Sequence, residues 1–281
     1  MKIAIIGYGF VGKALESSLT GDVSVLKIDP KLGSQITEIN NFHPDIIFIC
    51  VPTPMNSEFS QDLSILHKVV NELNAFNIKS LVVLKSTVLP NHLGEINNQI
   101  QNLIYNPEFL REKSAEADFI NSNLIVFGGH IENAKKISAF YLNYTNCICK
   151  EHIFTDLISA SFVKYSINTF LATKISFFNE LYTLYCSAVP DGNWEEFIKI
   201  LLRDNRMGNS HMNVPGHDGR FGFGGACLPK DSNAFLNYAK DLGIDLNVLQ
   251  NAILTNNKIR GKYNEPTLRE TEQNINFNGE D

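Results

Sequence analysis

Lys2-Ile3-Ala4-Ile5-Ile6-Gly7-Tyr8-Gly9-Phe10-Val11-Gly12 (KIAIIGYGFVG, residues 2–12) is the stretch that decides the fold. KIAII reads as a buried parallel strand, because a continuous apolar run has no polar face to leave in water. GxGxxG follows at once and opens a helix whose apolar residues Val11, Ala14, Leu15 and Leu19 keep helical spacing. The glycine pattern is weak alone; between a strand and a helix it has the context of a dinucleotide-binding turn. Gly7 permits the tight turn, Gly9 lets backbone approach a pyrophosphate, and Gly12 lets helix and strand pack closely. Phe10 and Val11 complete the candidate cofactor loop at the positive end of the helix. A second strand over 23–28 ends in Asp29, seventeen residues after Gly12. An acidic side chain there accepts hydrogen bonds from an adenosine ribose and repels a 2′-phosphate, which favours NAD over NADP. Lys31 close by tempers that preference. The alternative is a glycine turn in an α/β domain that binds no nucleotide.

Outward from this start, Asp45 leads into IIFICV (46–51), expected as the fourth strand of a doubly wound sheet. It stops at Val51-Pro52-Thr53-Pro54, where two prolines forbid helix and fix a loop at the edge where open α/β sheets bind ligands. An amphipathic helix over 62–76 and a strand over 81–85 follow, the strand ending in Ser86-Thr87-Val88. Hydroxyls there can contact phosphate, ribose or substrate, although many strand-ending Ser and Thr have no such role. Asn106-Pro107-Glu108-Phe109-Leu110-Arg111-Glu112 places two carboxylates four residues apart; in a helix they share a face, and a solvated helix start explains such a pair more often than catalysis does. LIVFGG (124–129) and Cys147–Cys149 read as the last strands. Thr155-Asp156 is an N-cap for a helix of more than thirty residues ending before Pro190, long enough to bridge domains or line a subunit interface. Lys164 and Asn168 lie one turn apart on it, either as a functional pair or as an exposed polar pair. Helices over 194–202, 231–240 and 246–259 follow.

The expected architecture is therefore α/β: an N-terminal Rossmann doubly wound parallel sheet (1–154), then an all-helical dimerisation or central domain (155–260). Residues 261–281 are rich in Asn, Glu and Thr and read as a disordered tail. A chain of 281 residues with 44% hydrophobic and 19% charged residues has room for two such domains. A formal net charge of −6 gives no reason to expect nucleic acid or an anionic membrane as partner. The apolar N-terminal burst is too short for a secretory segment, and no 18-residue apolar run occurs. Five widely spaced cysteines without a CxxC or His–Cys pattern argue against metal and for a reducing, cytoplasmic setting.

The chemistry concentrates in Arg220–Asp231 (RFGFGGACLPKD). Glycines leave Cys227 accessible, and a helix starting near Pro229 keeps Lys230 and Asp231 close to the thiol. A nearby cation lowers a thiol pKa, and a nearby carboxylate can move protons or position water. The plain alternative is a glycine-rich surface turn with an incidental cysteine.

Taken in order, these pieces resemble the nucleotide-sugar dehydrogenases of the UDP-glucose 6-dehydrogenase and UDP-N-acetylmannosamine dehydrogenase family. The matching stretches are GYGFVG (7–12), VPTP (51–54), STV (86–88), NPEFLRE (106–112), KYSIN (164–168), FFNE (177–180), DNRMG (204–208) and VPGHDGRFGFGGACLPKD (214–231). The resemblance implies Cys227 as nucleophile, Asp231 as the group that positions or deprotonates water, and Lys164 and Asn168 as oxyanion stabilisers. It places Thr87 and Glu108 at the reacting carbon and Glu112 near the cofactor. Val51, Pro52, Thr53, Ser86, Thr87 and Lys230 join the cofactor contacts; Phe109, Leu110, Phe221, Gly222 and Gly224 join the substrate contacts. Arg206 would reach the substrate across a subunit interface, which implies a homodimer. The implied reaction is a four-electron oxidation of a nucleotide-linked hexose with two NAD⁺ consumed. Family members continue into a further α/β domain that holds the uridine diphosphate, and this chain is expected to end before it. Weak nucleotide affinity, an unusual substrate, a separate chain supplying that domain, a shortened natural form or a fragment all follow as expectations. Lys113 and Asn91 stand where the family commonly has glycine. The competing readings are a β-hydroxyacid dehydrogenase of the 6-phosphogluconate type and a non-catalytic NAD-binding dimer.

Overall fold

The computed structural model describes residues 1–277. β1 (Lys2–Ile6) runs through the glycine turn into α1 (Phe10–Ser17), and β2 (Ser24–Ile28) returns parallel to β1. The chain then passes through α2 (Ile39–Phe42) into β3 (Ile46–Ile49), which pairs with the other edge of β1. α3 (Ser64–Ala75), β4 (Leu81–Leu84), α4 (Pro90–Gln99) and β5 (Leu103–Tyr105) extend the sheet on that side. α5 (Ala115–Ile120), β6 (Val126–Gly129), α6 (Ile131–Tyr144) and β7 (Ile153–Thr155) complete it. The strand order is β2-β1-β3-β4-β5-β6-β7.

Three expectations about the sheet are corrected. The run at 46–51 is the third strand, next to β1, because no strand forms between Asp29 and Asp45. The sheet is mixed, since β6 pairs antiparallel with β5. Between those strands lie an extended loop and the six-residue α5, with no full crossover helix to return the chain in the same direction. Cys147–Cys149 is not a strand. Cys147 is buried with its thiol on the Phe119 carbonyl, and the last strand comes four residues after Cys149.

Alternation along each central strand explains why both faces are covered. Ile3, Ile5, Ile46, Phe48 and Val83 face one core, with Ala14, Leu15, Phe127, Ile137 and Phe140. Ala4, Ile6, Ile47, Ile49, Val82 and Leu84 face the other, with Leu66, Val70, Leu73 and Leu93. Each fully buried aliphatic side chain contributes roughly 1.5–3 kcal/mol of transfer free energy, so neither face can be left in water.

The chain packs as two units: Met1–Thr53 with Asp62–Lys164, and Pro54–Gln61 with Tyr165 onward. The division falls inside α7 (Leu157–Ala188), ten residues beyond the boundary expected at 154. Asp156 caps this helix by accepting the Ser159 N–H at 2.8 Å. Its first turns belong to the sheet core, where Leu157, Ala160 and Val163 pack. The remainder belongs to the helical unit, together with α8 (Trp194–Leu201), α9 (Leu228–Asp241), α10 (Asn247–Arg260) and α11 (Leu268–Glu272). Ala172 packs there with Phe223, Leu236, Leu249 and Ile253, and Phe178 with Ile198, Met212 and Val214.

Residues 261–277 are not a disordered tail. Thr267 and Glu270 form a reciprocal capping box on α11, Glu270 is fully buried, and Ile275 is 7% exposed. Few apolar residues are needed here, because ion pairs and backbone hydrogen bonds hold the segment. Residues 278–281, part of the same expectation, lie outside the described residues. Asn91 sits in the first turn of α4 without a positive φ, so glycine is not required there; Lys113 is exposed in a 3₁₀ turn.

Lys85, directly after β4, is 3% exposed and, among the described residues, has no carboxylate bonded to it. Its ammonium donates to Asn106 Oδ1 at 2.9 Å and to the Tyr141 hydroxyl at 3.3 Å. Burial brings its pKa down from 10.5 to about 8, while burial pushes the Cys50 thiol up to about 12. The unfolded chain therefore holds the Lys85 proton to higher pH than the folded one, and stability rises with pH from about 8. Cys50 opposes this only above the ordinary cysteine range. We predict that the stability of Lys85→Met relative to the parent falls by about 1 kcal/mol between pH 7 and 9, measured by urea unfolding.

Candidate functional site

β1 and β3 are the strands at which the connections change direction, β2 lying to one side of β1 and β3 to the other. In an open α/β sheet the crevice at the carboxyl ends of such strands takes the ligand. The glycine turn sits there, and each glycine meets a different constraint. Gly7 has φ +90°, and a Cβ on it would stand 2.7 Å from the Cys50 carbonyl. A Cβ on Gly12 would stand 2.6 Å from the Gly7 carbonyl oxygen. A Cβ on Gly9 would meet nothing within 4 Å, which leaves room for a bulky group against the backbone. The first turn of α1 holds no acidic residue to oppose an anion at the helix start. Phe10 and Val11, in this turn, are half-buried.

Asp29 ends β2 beside that turn. Its carboxylate accepts the Tyr8 N–H at 2.7 Å and the Lys31 N–H at 2.9 Å, which aims it while leaving acceptor capacity on both oxygens. The Lys31 side chain is exposed. The loops after β3 and β4 are tied to each other: Ser86 Oγ donates to the Val51 carbonyl at 2.6 Å and Thr53 Oγ1 to the Thr87 carbonyl at 2.9 Å. Pro52 is exposed between two buried neighbours. These residues fit a dinucleotide: an open, positively poled turn for the pyrophosphate and an aimed carboxylate for the ribose.

A buried ion pair lies in the same unit. Lys164 on α7 donates to the Glu108 carbonyl at 2.5 Å and to its Oε1 at 3.2 Å; the two side chains are 3% and 7% exposed. Glu108 Oε2 accepts the Leu110 N–H at 2.6 Å, so the carboxylate is fixed within its own loop. The Lys164 ammonium stands 5.4 Å from the Phe109 ring centroid, and Phe109 and Leu110 are half-buried. Residues 106–111 form no helix, so Glu108 and Glu112 do not share a face. Glu108 is buried and Glu112 exposed at the start of a 3₁₀ turn. Pro107, and the bond from Asn106 to the Val126 carbonyl, keep the segment extended. A small pocket beside it is lined by Lys85, Asn106, Glu108, Phe109 and Tyr141 among others.

The helical unit holds the thiol. Cys227 is half-buried and is the N-cap residue of α9, with Pro229 in the first turn. Asp231, one turn on, is 1% exposed; Oδ1 accepts Lys230 Nζ at 2.5 Å and Oδ2 accepts Asn168 Nδ2 at 2.6 Å. Lys230 is likewise buried, at 6% exposure. Lys164 and Asn168 thus sit four residues apart on one helix, each engaged with a different carboxylate.

The loop before Cys227 is held through its backbone donors. Phe221 N–H goes to the Tyr263 hydroxyl (2.9 Å), Gly222 N–H to Asn179 Oδ1 (2.9 Å) and Phe223 N–H to Asn256 Oδ1 (2.6 Å). Gly222 has φ +76°, and a Cβ on it would stand 2.5 Å from Asn256 Oδ1. Phe221 packs with Tyr182 and Trp194 in the second core of this unit. Arg206 is brought to none of these groups. Its side chain is 90% exposed and paired with Asp204 in its own turn. Asn179, Asn256, Tyr263 and Glu270 carried no assigned role in the sequence reading. Each lies far along the chain from the loop it serves, and only Asn179 stood in a matched stretch. Among the described residues, no cluster of three or more His, Cys, Asp or Glu could hold a metal, and no helix is long and apolar enough to cross a membrane.

Comparison with known proteins agrees with this two-part layout. Residues 33–145 match the UDP-glucose/GDP-mannose dehydrogenase family, NAD binding domain, and residues 158–258 match the central domain of the same family. The chain is 34% identical to a UDP-glucose 6-dehydrogenase of Rickettsia bellii over 77% of this chain and 50% of that protein. It is 28% identical to one of Campylobacter jejuni over 98% of this chain and 76% of that protein. A UDP-glucose dehydrogenase structure from Pyrobaculum islandicum superposes with a TM-score of 0.73 at 24% identity, covering 92% of this chain and 68% of that one. The chain spans about half the length of the Rickettsia enzymes it matches. These matches, over both parts of the fold, make the chain a member of the UDP-glucose/GDP-mannose dehydrogenase family, with its NAD binding domain and its central domain.

Proposed function

We propose that this protein oxidises the C6 alcohol of a nucleotide-linked hexose to the uronic acid in two NAD-dependent steps through a thioester on Cys227. The observation that carries this reading is the thiol at the N-terminus of α9, followed one turn later by a buried carboxylate already held by Lys230 and Asn168. An enzyme that stops at the aldehyde has no need for a thiol. When bound, NAD⁺ would accept the hydride that leaves carbon in each oxidation, the C6 hydroxyl proton of the first passing to solvent.

The chain's residues have the following work in this scheme. Gly7, Gly9, Gly12, Phe10 and Val11 receive the pyrophosphate, and Asp29 takes the ribose hydroxyls. Val51, Pro52, Thr53, Ser86, Glu112 and Lys230 complete the cofactor contacts, with Lys31 beside the ribose. Thr87 and Glu108 line the reacting carbon, and Phe109, Leu110, Phe221, Gly222 and Gly224 hold the sugar nucleotide. The Cys227 sulfur, at the N-terminus of α9, adds as its thiolate to the aldehyde carbon. Charge passes to the former carbonyl oxygen, where Lys164 and Asn168 stabilise it. Loss of hydride from that adduct leaves the thioester. Asp231, or Glu108, takes a proton from water as it attacks; collapse of the adduct releases the thiolate and the acid, which gives its remaining proton to solvent to become the carboxylate.

A homodimer fits the exposed face of α7. Phe170, Phe177 and Leu184 recur every seven residues and are 67%, 55% and 64% exposed. Covering such a stripe removes apolar surface from water at about 25 cal/mol per Å². In this assembly Arg206 serves the neighbouring subunit's substrate.

Three outcomes are expected. With UDP-glucose, UDP-N-acetylmannosamine or GDP-mannose, the productive sugar yields two NADH per uronate, and Cys227→Ser lowers uronate formation by at least about a thousandfold. One NADH per sugar, insensitive to that change, would select the β-hydroxyacid reading. By calorimetry the parent prefers NAD⁺ to NADP⁺, and Asp29→Ala narrows the gap to within about threefold. Light scattering gives a dimer mass for the parent and a monomer for the double variant Phe170→Asp, Phe177→Asp.

A further inference from the structure

We infer that Glu270 is a positioning residue for Cys227, and that the segment 265–277 is a strap holding the glycine-rich loop in its working conformation. This rests on the reading of Cys227 as nucleophile. Glu270 lies beyond the stretch that matches the family's central domain, which ends at residue 258.

Glu270 is fully buried, and each oxygen has its own task. Oε1 accepts the Gly225 N–H at 3.2 Å; Oε2 accepts the Thr267 N–H at 2.6 Å, closing the capping box on α11. Gly225 stands two residues before Cys227 and has φ +76°, a conformation that glycine enters readily but does not hold by itself. With Glu270, four of the five backbone donors from Phe221 to Gly225 end on a side chain from elsewhere in the unit. The Glu270 anchor is the one nearest Cys227 along the chain.

Two further observations put the carboxylate against the loop. A Cβ on Gly224 would fall inside contact distance of both Glu270 Oε1 and Arg260 Nη2. Arg260, 3% exposed, donates to Asp218 at 2.7 Å and approaches Glu270 Oε1 to 4.0 Å, and Arg220 approaches Oε2 to 3.9 Å. The carboxylate therefore balances two guanidinium groups as well as holding the backbone. The far end of the strap is fastened by Met55 N–H to the Gln273 carbonyl (3.3 Å) and by Asn274 Nδ2 to the Met55 carbonyl (3.1 Å). Its chemical effect is to limit the positions open to the sulfur, since a reacting atom displaced by about 1 Å loses on the order of a hundredfold in rate.

The test uses the full chain with Glu270→Gln, which keeps shape and one acceptor but removes the charge, and Asn274→Gly, which releases the far anchor at a residue whose φ is already +55°. Exposed Leu268→Ser is the control. Hydrogen exchange of peptides covering 221–227 is expected to quicken by about ten- to a hundredfold in Glu270→Gln, and less in Asn274→Gly. The iodoacetamide alkylation rate of Cys227, followed by mass spectrometry, should change by at least about fivefold, and kcat should fall about tenfold or more with the KM for NAD⁺ unchanged. Exchange and alkylation within twofold of the parent in both variants would overturn the proposal. So would a loosened loop with an unaltered alkylation rate, which would leave Glu270 a structural residue only. Where no sugar nucleotide is turned over, the alkylation rate still decides, and failure of the nucleophile reading shows separately in Cys227→Ser.

Discussion

Asp231 has almost no access to water, so its charge has to be met inside the protein, and the contacts that meet it organise the helical unit. Lys230 follows from sequence adjacency; Asn168 comes from α7, more than sixty residues earlier. Leaving a buried ion without one of its partners costs about 3–5 kcal/mol, which is enough to lock α9 against α7 at this point. Because Cys227 caps α9, the same pairing sets where the thiol stands. The glycine-rich loop then has to join a fixed helix start, and its backbone donors are taken up by Tyr263, Asn179, Asn256 and Glu270.

The sheet unit has a comparable constraint in the approach of Gly12 to Gly7. The helix start can lie over the strand end only because neither residue carries a side chain there. That closeness brings the positive end of α1 to the crevice and leaves the space at Gly9 open. Asp29, Thr53 and Ser86 are then fixed by bonds to backbone groups, so the edge is preorganised by main chain more than by packing. Lys85 and Lys164 add two buried cations behind it; Lys164 is paired with the Glu108 carboxylate, and Lys85 donates to the Asn106 side chain.

Much of this was legible along the chain. The glycine turn, Asp29 at the end of β2, the prolines after β3, the long α7 and the Cys227–Asp231 cluster were all identified by local pattern, because each is a short-range consequence of backbone conformation or helical spacing. The misreadings have long-range causes. NPEFLRE has helical spacing of its acids, yet Asn106 is drawn to Val126 and Glu108 to Lys164, so the segment stays extended. Residues 261–277 have the composition of a solvated tail, and what orders them is pairing with Arg260, Gly225 and Met55.

By itself, then, the sequence determined the strand–glycine turn–helix start, many of the strands and helices, and the identity of the one cysteine set among glycines. Those depend on φ preferences and on periodicity, which neighbours in the chain express directly. Only the tertiary structure decided that β6 runs antiparallel, that Glu108 is buried while Glu112 is not, and that a carboxylate from near the C-terminus holds the loop before Cys227. The reason is physical. A buried polar group must find its partner wherever the fold brings one, and that partner leaves no mark on the residues beside it in sequence.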